Sequence, residues 1–313
     1  MISCDVSDPE ARVSGVSPEP SGGGAIPARG KPRWLKVLAP GSEGYRRMRA
    51  LTGTLRLETV CQSARCPNIG DCWQAGSAAF MILGVLCTRS CGFCDVKTGR
   101  PAPPDPDEPR RLAEAVTALA LRHAVITSVT RDDLEDGGAG QFVACVEAIR
   151  ARSPGTTVEL LIPDFRGAPI PLEAVLNACP EVLNHNVETV PRLYPRVRPA
   201  ASYAGSLQLL ARAASHAGAG RVKSGIMLGL GEEEAEIEAV LVDLRRVGVD
   251  LLTIGQYLAP SRDHLPVVRY WEPEVFEGWR KRALEMGFAA VESHPLARSS
   301  MHAERLLGIN DHD

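Results

Sequence analysis

Residues 61–94 read CQSARCPNIGDCWQAGSAAFMILGVLCTRSCGFC and hold six of the nine cysteines of a 313-residue chain. They fall into two triplets, Cys61-x4-Cys66-x5-Cys72 and Cys87-x3-Cys91-x2-Cys94, with an apolar run between them and no histidine among them. Clustered thiols serve as disulfides, as zinc ligands or as ligands of an iron–sulfur cluster, and each use asks for a different number. Disulfides suit small secreted chains, whereas this one opens MISCDVSDPEARV, without the charged start and apolar core of a signal peptide. Structural zinc takes four ligands; each triplet offers three, and the nearest histidine, His123, is far downstream. A cubane of iron and sulfide takes soft thiolates and functions with three of them, leaving one iron for another ligand. Two triplets match two cubanes. The competing reading, six merely buried cysteines, sits badly with the polar, turn-like spacers TRS, GF and PNIGD.

Working outward, AFMILGVL (79–86) is an unbroken apolar run bounded by Gly76 and Cys87, the pattern of a strand buried on both faces, with the second triplet starting at its end. Helical and strand periods then alternate. DEPRRLAEAVTALALRH precedes HAVITSVT, QFVACVEAIRAR precedes TVELLIPDF, and PLEAVLNA precedes VLNHNVETV. SYAGSLQLLARAASHAG leads to VKSGIMLGLG, EEEAEIEAVLVDLRRVG to DLLTIGQYL, and PEVFEGWRKRALEMG to FAAVESHP. Strands joined through helices pair in parallel by right-handed crossovers. Six or seven such units predict an α/β fold, a partial (β/α)6-type TIM barrel whose function sits in the loops after the strands. Residues 87–94 occupy the first of those loops, and RDDLEDGG, NVET, GLGEE and QYLAPSRD occupy later ones, all at one mouth.

The predicted organisation has four parts. Residues 1–30, rich in Ser, Gly and Pro, form a disordered tail in which Cys4 is no ligand; Asp5, Asp8, Glu10 and Glu19 make it too acidic for a mitochondrial transit peptide. Residues 31–75 are an N-terminal extension with a short helix and the first triplet, 76–295 the barrel, and 296–313 a C-terminal segment. A formal charge of -3 offers no basic excess for nucleic acid. The longest apolar runs fall short of the roughly 20 residues that cross a bilayer. A cytoplasmic, reducing setting is the expectation.

Several further residues admit two readings. Asn186 and Glu188 alternate on NHNVET, so they either contact a cofactor from a strand end or are plain polar residues of a barrel interior. Arg198 either meets a carboxylate or forms a surface ion pair. His185 is read as a hydrogen-bonded barrel histidine near the site, and Cys145 and Cys179 as inert core residues in helices. GLGEE lacks the GK[ST] of a phosphate loop and is read as a turn, and EEEAEIE as an acidic helix start.

With these motifs assembled, the chain resembles the lipoyl synthases of the radical S-adenosylmethionine (SAM) superfamily. The resemblance runs through both triplets, CPNIGDCW, FMILG, VTRDDLEDGGA, NVETVPRLYPRVRP, KSGIMLGLGE, DLLTIGQYLAPS and the late RSS at 298–300. It implies that Cys87, Cys91 and Cys94 hold a 4Fe–4S cluster whose open iron binds SAM and whose electron releases a 5'-deoxyadenosyl radical, with Asn186, Glu188 and Arg198 as contacts to SAM or substrate. It further implies that Cys61, Cys66 and Cys72 hold an auxiliary 4Fe–4S cluster that gives up sulfur for C6 and C8 of an octanoyl chain on a carrier-domain lysine. The fourth ligand of that cluster in the family is a serine of an RSSY motif, which carries over here to Ser300, rather than Ser299, in Arg298-Ser299-Ser300-Met301. Methionine stands where the motif has tyrosine, which bears on how the C-terminal segment packs. No catalytic side chain beyond the cluster ligands is implied; the implied partners are octanoylated carrier domains, an external electron donor and cluster-assembly proteins. Two other classes compete: another radical SAM sulfur-inserting enzyme with an auxiliary cluster, and a ferredoxin-type electron carrier, which would be small and use four-cysteine clusters.

Overall fold

The computed structural model describes residues 30–308 apart from positions 38, 219 and 302. The expectations for the tail before residue 30, including Cys4, lie outside the described residues. Before the barrel come α1 (Glu43–Thr54), a two-residue strand β1 (Glu58–Thr59), and the short helices α2 (Val60–Ser63) and α3 (Ile69–Gln74). Ser42 caps α1 by accepting the Tyr45 N–H, which satisfies one of the donors a helix start leaves open.

The barrel strands are β2 (Ala79–Ile82), β3 (His123–Ser128), β4 (Thr157–Leu161), β5 (Val182–Asn184), β6 (Arg221–Leu228), β7 (Leu251–Gln256) and β8 (Ala290–Ser293). They pair in chain order and in parallel, with β1 added antiparallel at the β2 edge. The first and last strands of this eight-stranded order are not neighbours, so the barrel is open, as the number of units predicts. The crossovers carry α4 (Glu108–Ala118), α5 (Ala139–Arg152), α6 (Pro169–Asn177), α7 (Tyr203–Ser215), α8 (Glu234–Arg246) and α9 (Pro273–Glu285).

Each helix lays an apolar stripe on the sheet. On α8, Ile237, Val240, Leu241 and Leu244 recur at helical spacing and are all buried. Each such side chain contributes about 1.5–3 kcal/mol by leaving water. Glu233 and Glu236 close the start of α8 as a reciprocal capping box, which is what the acidic run EEEAEIE does here.

Two strands are shorter than their apolar runs suggest. The run 79–86 leaves the ladder after Ile82, because Leu83 and Gly84 turn into left-handed conformations (φ 68° and 93°) and the Leu83 N–H donates to Glu108 instead. Leu86–Cys87 then pairs with Lys97–Thr98 as a separate small parallel pair that closes the cysteine loop at its base. Likewise VLNHNVETV is a strand only to Asn184. Glu188 sits left-handed at φ 65° and rejoins the sheet by a single bridge to Ile226. Asn186 and Glu188 therefore stand in a loop and do not share a strand face, which corrects the alternation argument.

Candidate active site

A chamber of about 360 Å³ opens where β2 to β8 end. Cys61 and Cys66 line it, together with Cys87, Cys91 and Cys94 and the 297–300 segment. Cys72 does not face the chamber; it is buried beside Cys61 and Cys66 in an apolar cluster with Met48 and Trp73.

Cys61 sits on α2, whose start Thr59 caps, Cys72 on α3 and Cys66 on the turn between them; α3 packs on α1, where the buried Trp73 ring stacks on Tyr45 at 5.1 Å. Burial pushes the Cys61 thiol up to about 11, and Cys66 adds to it by repulsion. Burial, then Cys61 and Cys66, push Cys72 up to about 12. These thiols become thiolates together only around a cationic centre that offsets burial and repulsion, which is the chemistry of a metal-cluster trio. Among the described residues, no three His, Cys, Asp or Glu side chains converge on a single metal ion. A cubane gives each thiolate its own iron and so suits a wider trio than one shared ion does.

The second trio lies on the loop that leaves the barrel after β2. Burial raises the Cys91 thiol, and raises Cys94 to about 12 with help from Cys91 and Cys87. The backbone N–H groups of Arg89 and Thr130 donate to Cys87 Sγ at 3.4 and 3.3 Å, the donors that stabilise a thiolate. Arg89 anchors the loop: its guanidinium meets Asp132 at 2.6 Å and Asp164 at 2.7 Å, on the loops after β3 and β4, while only 8% of it is exposed. His264 Nε2 reaches the Cys94 carbonyl at 3.1 Å from the far side.

Asn186, Glu188 and Arg198 all line the same chamber. Asn186 Nδ2 donates to Glu188 Oε1 at 3.2 Å, and Arg198 Nη1 donates to the Asn186 carbonyl at 2.9 Å. Burial raises the Glu188 carboxyl, against the lowering pull of Arg198 and Asn186. Arg198 does not form a surface ion pair among the described residues: it lines the chamber, and its Nε is buried with no hydrogen-bond partner among them. A buried orphan guanidinium donor facing a chamber is suited to a ligand carboxylate. Behind them His185 is held neutral by burial, its pKa lowered to about 4, with its ring nitrogens on the Ile162 carbonyl and Ser206 at 2.9 and 3.0 Å.

The C-terminal segment is the last part of that lining. Ser299 and Ser300 both line the chamber. The Ser299 hydroxyl is engaged by Asn186 at 2.8 Å, whereas that of Ser300 makes no hydrogen bond among the described residues. Met301 lies against the Cys61/Cys72 cluster, and its sulfur and the Leu296 carbonyl both accept from Asn68 Nδ2, at 3.0 and 2.6 Å. The methionine thus docks the segment onto the loop that carries the first trio.

Arg298 also lines the chamber, and its guanidinium is attracted to both Cys66 and Glu188. Its value was hidden in the sequence because RSS was read for its hydroxyls. RDDLEDGG and GLGEE do not face the chamber as expected. The first supplies Asp132 to Arg89 and pairs Arg131 with Asp133 at 2.8 Å; in the second, Glu232 folds back on the Gly229 and Leu230 N–H groups and accepts from Trp271 Nε1 at 3.0 Å. Cys145 is core, but Cys179 is exposed, left-handed at φ 52° just past α6, and not a core residue.

Residues 81–244 match the Radical SAM superfamily. The chain is 55% identical to the lipoyl synthase of Rubrobacter xylanophilus over 88% of this chain and 85% of that one. It is 58% identical to the lipoyl synthase of Trichlorobacter lovleyi, over 87% and 97%. Among solved structures, SuiB of Streptococcus suis bound to S-adenosylmethionine superposes with a TM-score of 0.52 at 9% identity, over 72% of this chain and 51% of that one. Methylornithine synthase superposes at 0.50 and 16% identity, over 79% and 81%. At those identities the two structures speak for the fold alone.

Proposed function

The chain belongs to the lipoyl synthases of the radical SAM superfamily, and on that premise we propose how its chamber divides the insertion of sulfur into an octanoyl group. A radical SAM enzyme binds a 4Fe–4S cluster and SAM. In our reading Cys87, Cys91 and Cys94 are the ligands of that cluster, and Cys61, Cys66, Cys72 and Ser300 those of an auxiliary 4Fe–4S cluster that supplies the sulfur for C6 and C8. Held there, the cluster and SAM would supply the one-electron chemistry that activates C–H bonds of the octanoyl chain.

The chain's own residues bind and orient. Arg198, Asn186 and Glu188, which line the chamber, would hold the polar end of SAM, the guanidinium suiting a carboxylate and the Glu188 carboxyl a cationic amino group. Aliphatic walls such as Met81, Val129, Ile226 and Met227 keep water out and give the radical no polar chemistry to divert it. Ser300 supplies an oxygen, a poorer match than sulfur to a cluster that must break open. The substrate is an octanoyl-lysine of a carrier domain, with electrons from an external donor and the spent cluster rebuilt by assembly proteins. The eight described cysteines are free thiols, which suits a reducing cytoplasm.

One observation carries this reading: Cys61 and Cys66, with Cys72 packed behind them, the three thiols at 87–94 and the C-terminal serines gather at the same chamber. The test is anaerobic. Protein reconstituted with iron and sulfide is mixed with SAM, reductant and an octanoyl-lysine peptide, and products bearing one and then two added sulfurs are expected by mass. Deoxyadenosine formed without any sulfur addition would point to another radical chemistry.

A further inference from the structure

We propose that Ser299 is a positioning residue, clasped by Lys223 and Asn186 so that the neighbouring Ser300 is presented to the Cys61, Cys66 and Cys72 trio. The inference rests on the reading of Ser300 as a cluster ligand and extends it to residues with no part in ligation.

Lys223, on β6, is fully buried, and its ammonium has three donors. They reach Glu159 Oε1 at 3.0 Å, Glu159 Oε2 at 3.1 Å and the backbone carbonyl of Ser299 at 2.6 Å. Glu159, on β4, is fully buried too and also accepts from Asn184 Nδ2 at 2.8 Å. A buried ion pair of this kind is weak evidence of stability, since well-packed apolar residues often serve a core better. This one sends a charged donor out of the barrel wall onto a single peptide of the C-terminal segment. From the other side, the Asn186 amide meets the Ser299 hydroxyl at 2.8 and 3.0 Å.

The barrel also makes room for the clasp. A Cβ at Gly225 would stand 2.8 Å from Asn186 Oδ1 and 3.1 Å from Ser299 Oγ. One at Gly255 would overlap the carbonyl of Ala297. Two adjacent strands thus lack a side chain where the segment crosses them. The segment needs such fixing, because residues 296–301 belong to no helix or strand and a chain so placed is held by few bonds.

The clasp is read first in the metal-free chain, by hydrogen exchange of the peptide spanning 296–301. A Lys223→Met/Glu159→Gln double variant removes both charges, so that neither is left buried alone. Its exchange in this peptide is expected to rise by roughly 10- to 100-fold, the effect of losing a bond to a charged donor, and that of Ser299→Ala by roughly 5-fold. In reconstituted protein, both variants are expected to release the iron bound by Cys61, Cys66 and Cys72 to a chelator faster than the parent does, while the iron of Cys87, Cys91 and Cys94 stays. A merely structural loss would loosen both clusters alike. Parent-like exchange in the 296–301 peptide of Ser299→Ala, which touches no buried charge, overturns the proposal, as does equal release from both clusters in the double variant. Iron retention in Ser300→Ala tests the underlying ligand reading separately, so that failure of that reading is told apart from failure of the clasp.

Discussion

An oxygen ligand on an iron–sulfur cluster, the role proposed for Ser300, would be the least expected atom in this site, and its consequence would be kinetic. If Ser300 lets one iron leave, Ser300→Cys should still assemble the cluster but slow the insertions, and rapid-quench mass spectrometry should show the monothiolated product persisting roughly tenfold longer. Full insertion at the parent rate would contradict that role. His185 gives a pH signature in the metal-free chain. Its folded pKa of about 4 lies below its ordinary 6.5, so the unfolded chain binds the proton first. Its contribution to stability is therefore complete above pH 6.5 and is lost as pH falls towards 4, with a slope of up to about 1.4 kcal/mol per pH unit. Denaturant titrations should show that slope flattened in His185→Gln. The six cysteines stood out by their type and spacing, whereas Ser300 was singled out only through the family resemblance. Arg298 and Lys223 were not legible, since nothing local marks which cation ends beside a thiol or a distant carbonyl.

The cysteine loop behaves as an element although it has almost no ladder of its own. It is fixed by Arg89, whose removal would leave Asp132 and Asp164 facing each other partly buried. Arg89→Met should cost about 3–5 kcal/mol in chemical denaturation, and Arg89→Lys, with one ammonium for two carboxylates, should recover only part of it. The C-terminal segment depends on close approach instead. Gly255→Ala should displace Ala297 at a cost of about 1–3 kcal/mol. Limited proteolysis beyond residue 296 would report it. Periodicity made the helices and the order of the strands readable, because apolar stripes and buried runs repeat with their own periods. It overran the ends of β2 and β5, where Leu83 and Glu188 adopt left-handed backbone that no sequence rule assigns to a leucine or a glutamate.

At the scale of the whole molecule, an open barrel lets three chain segments far apart in sequence meet at one mouth. The 61–72 region enters from before the barrel, the 87–94 loop from its first strand, and 297–301 returns after its last. The parallel barrel was legible from the count of units. The meeting of its two ends was implied only by family resemblance, since it depends on Asn68 holding Leu296 and Met301 across more than two hundred residues. The proposed division of labour needs two separate clusters at that one mouth. The direct measurement is iron per chain, alongside 5'-deoxyadenosine formation, in a variant with Cys61, Cys66 and Cys72 all changed to Ala. About four irons instead of about eight, with SAM still cleaved and no sulfur inserted, is the expected result. A variant that keeps about eight irons, or that loses SAM cleavage along with the first trio, would contradict the division of labour proposed for these cysteines.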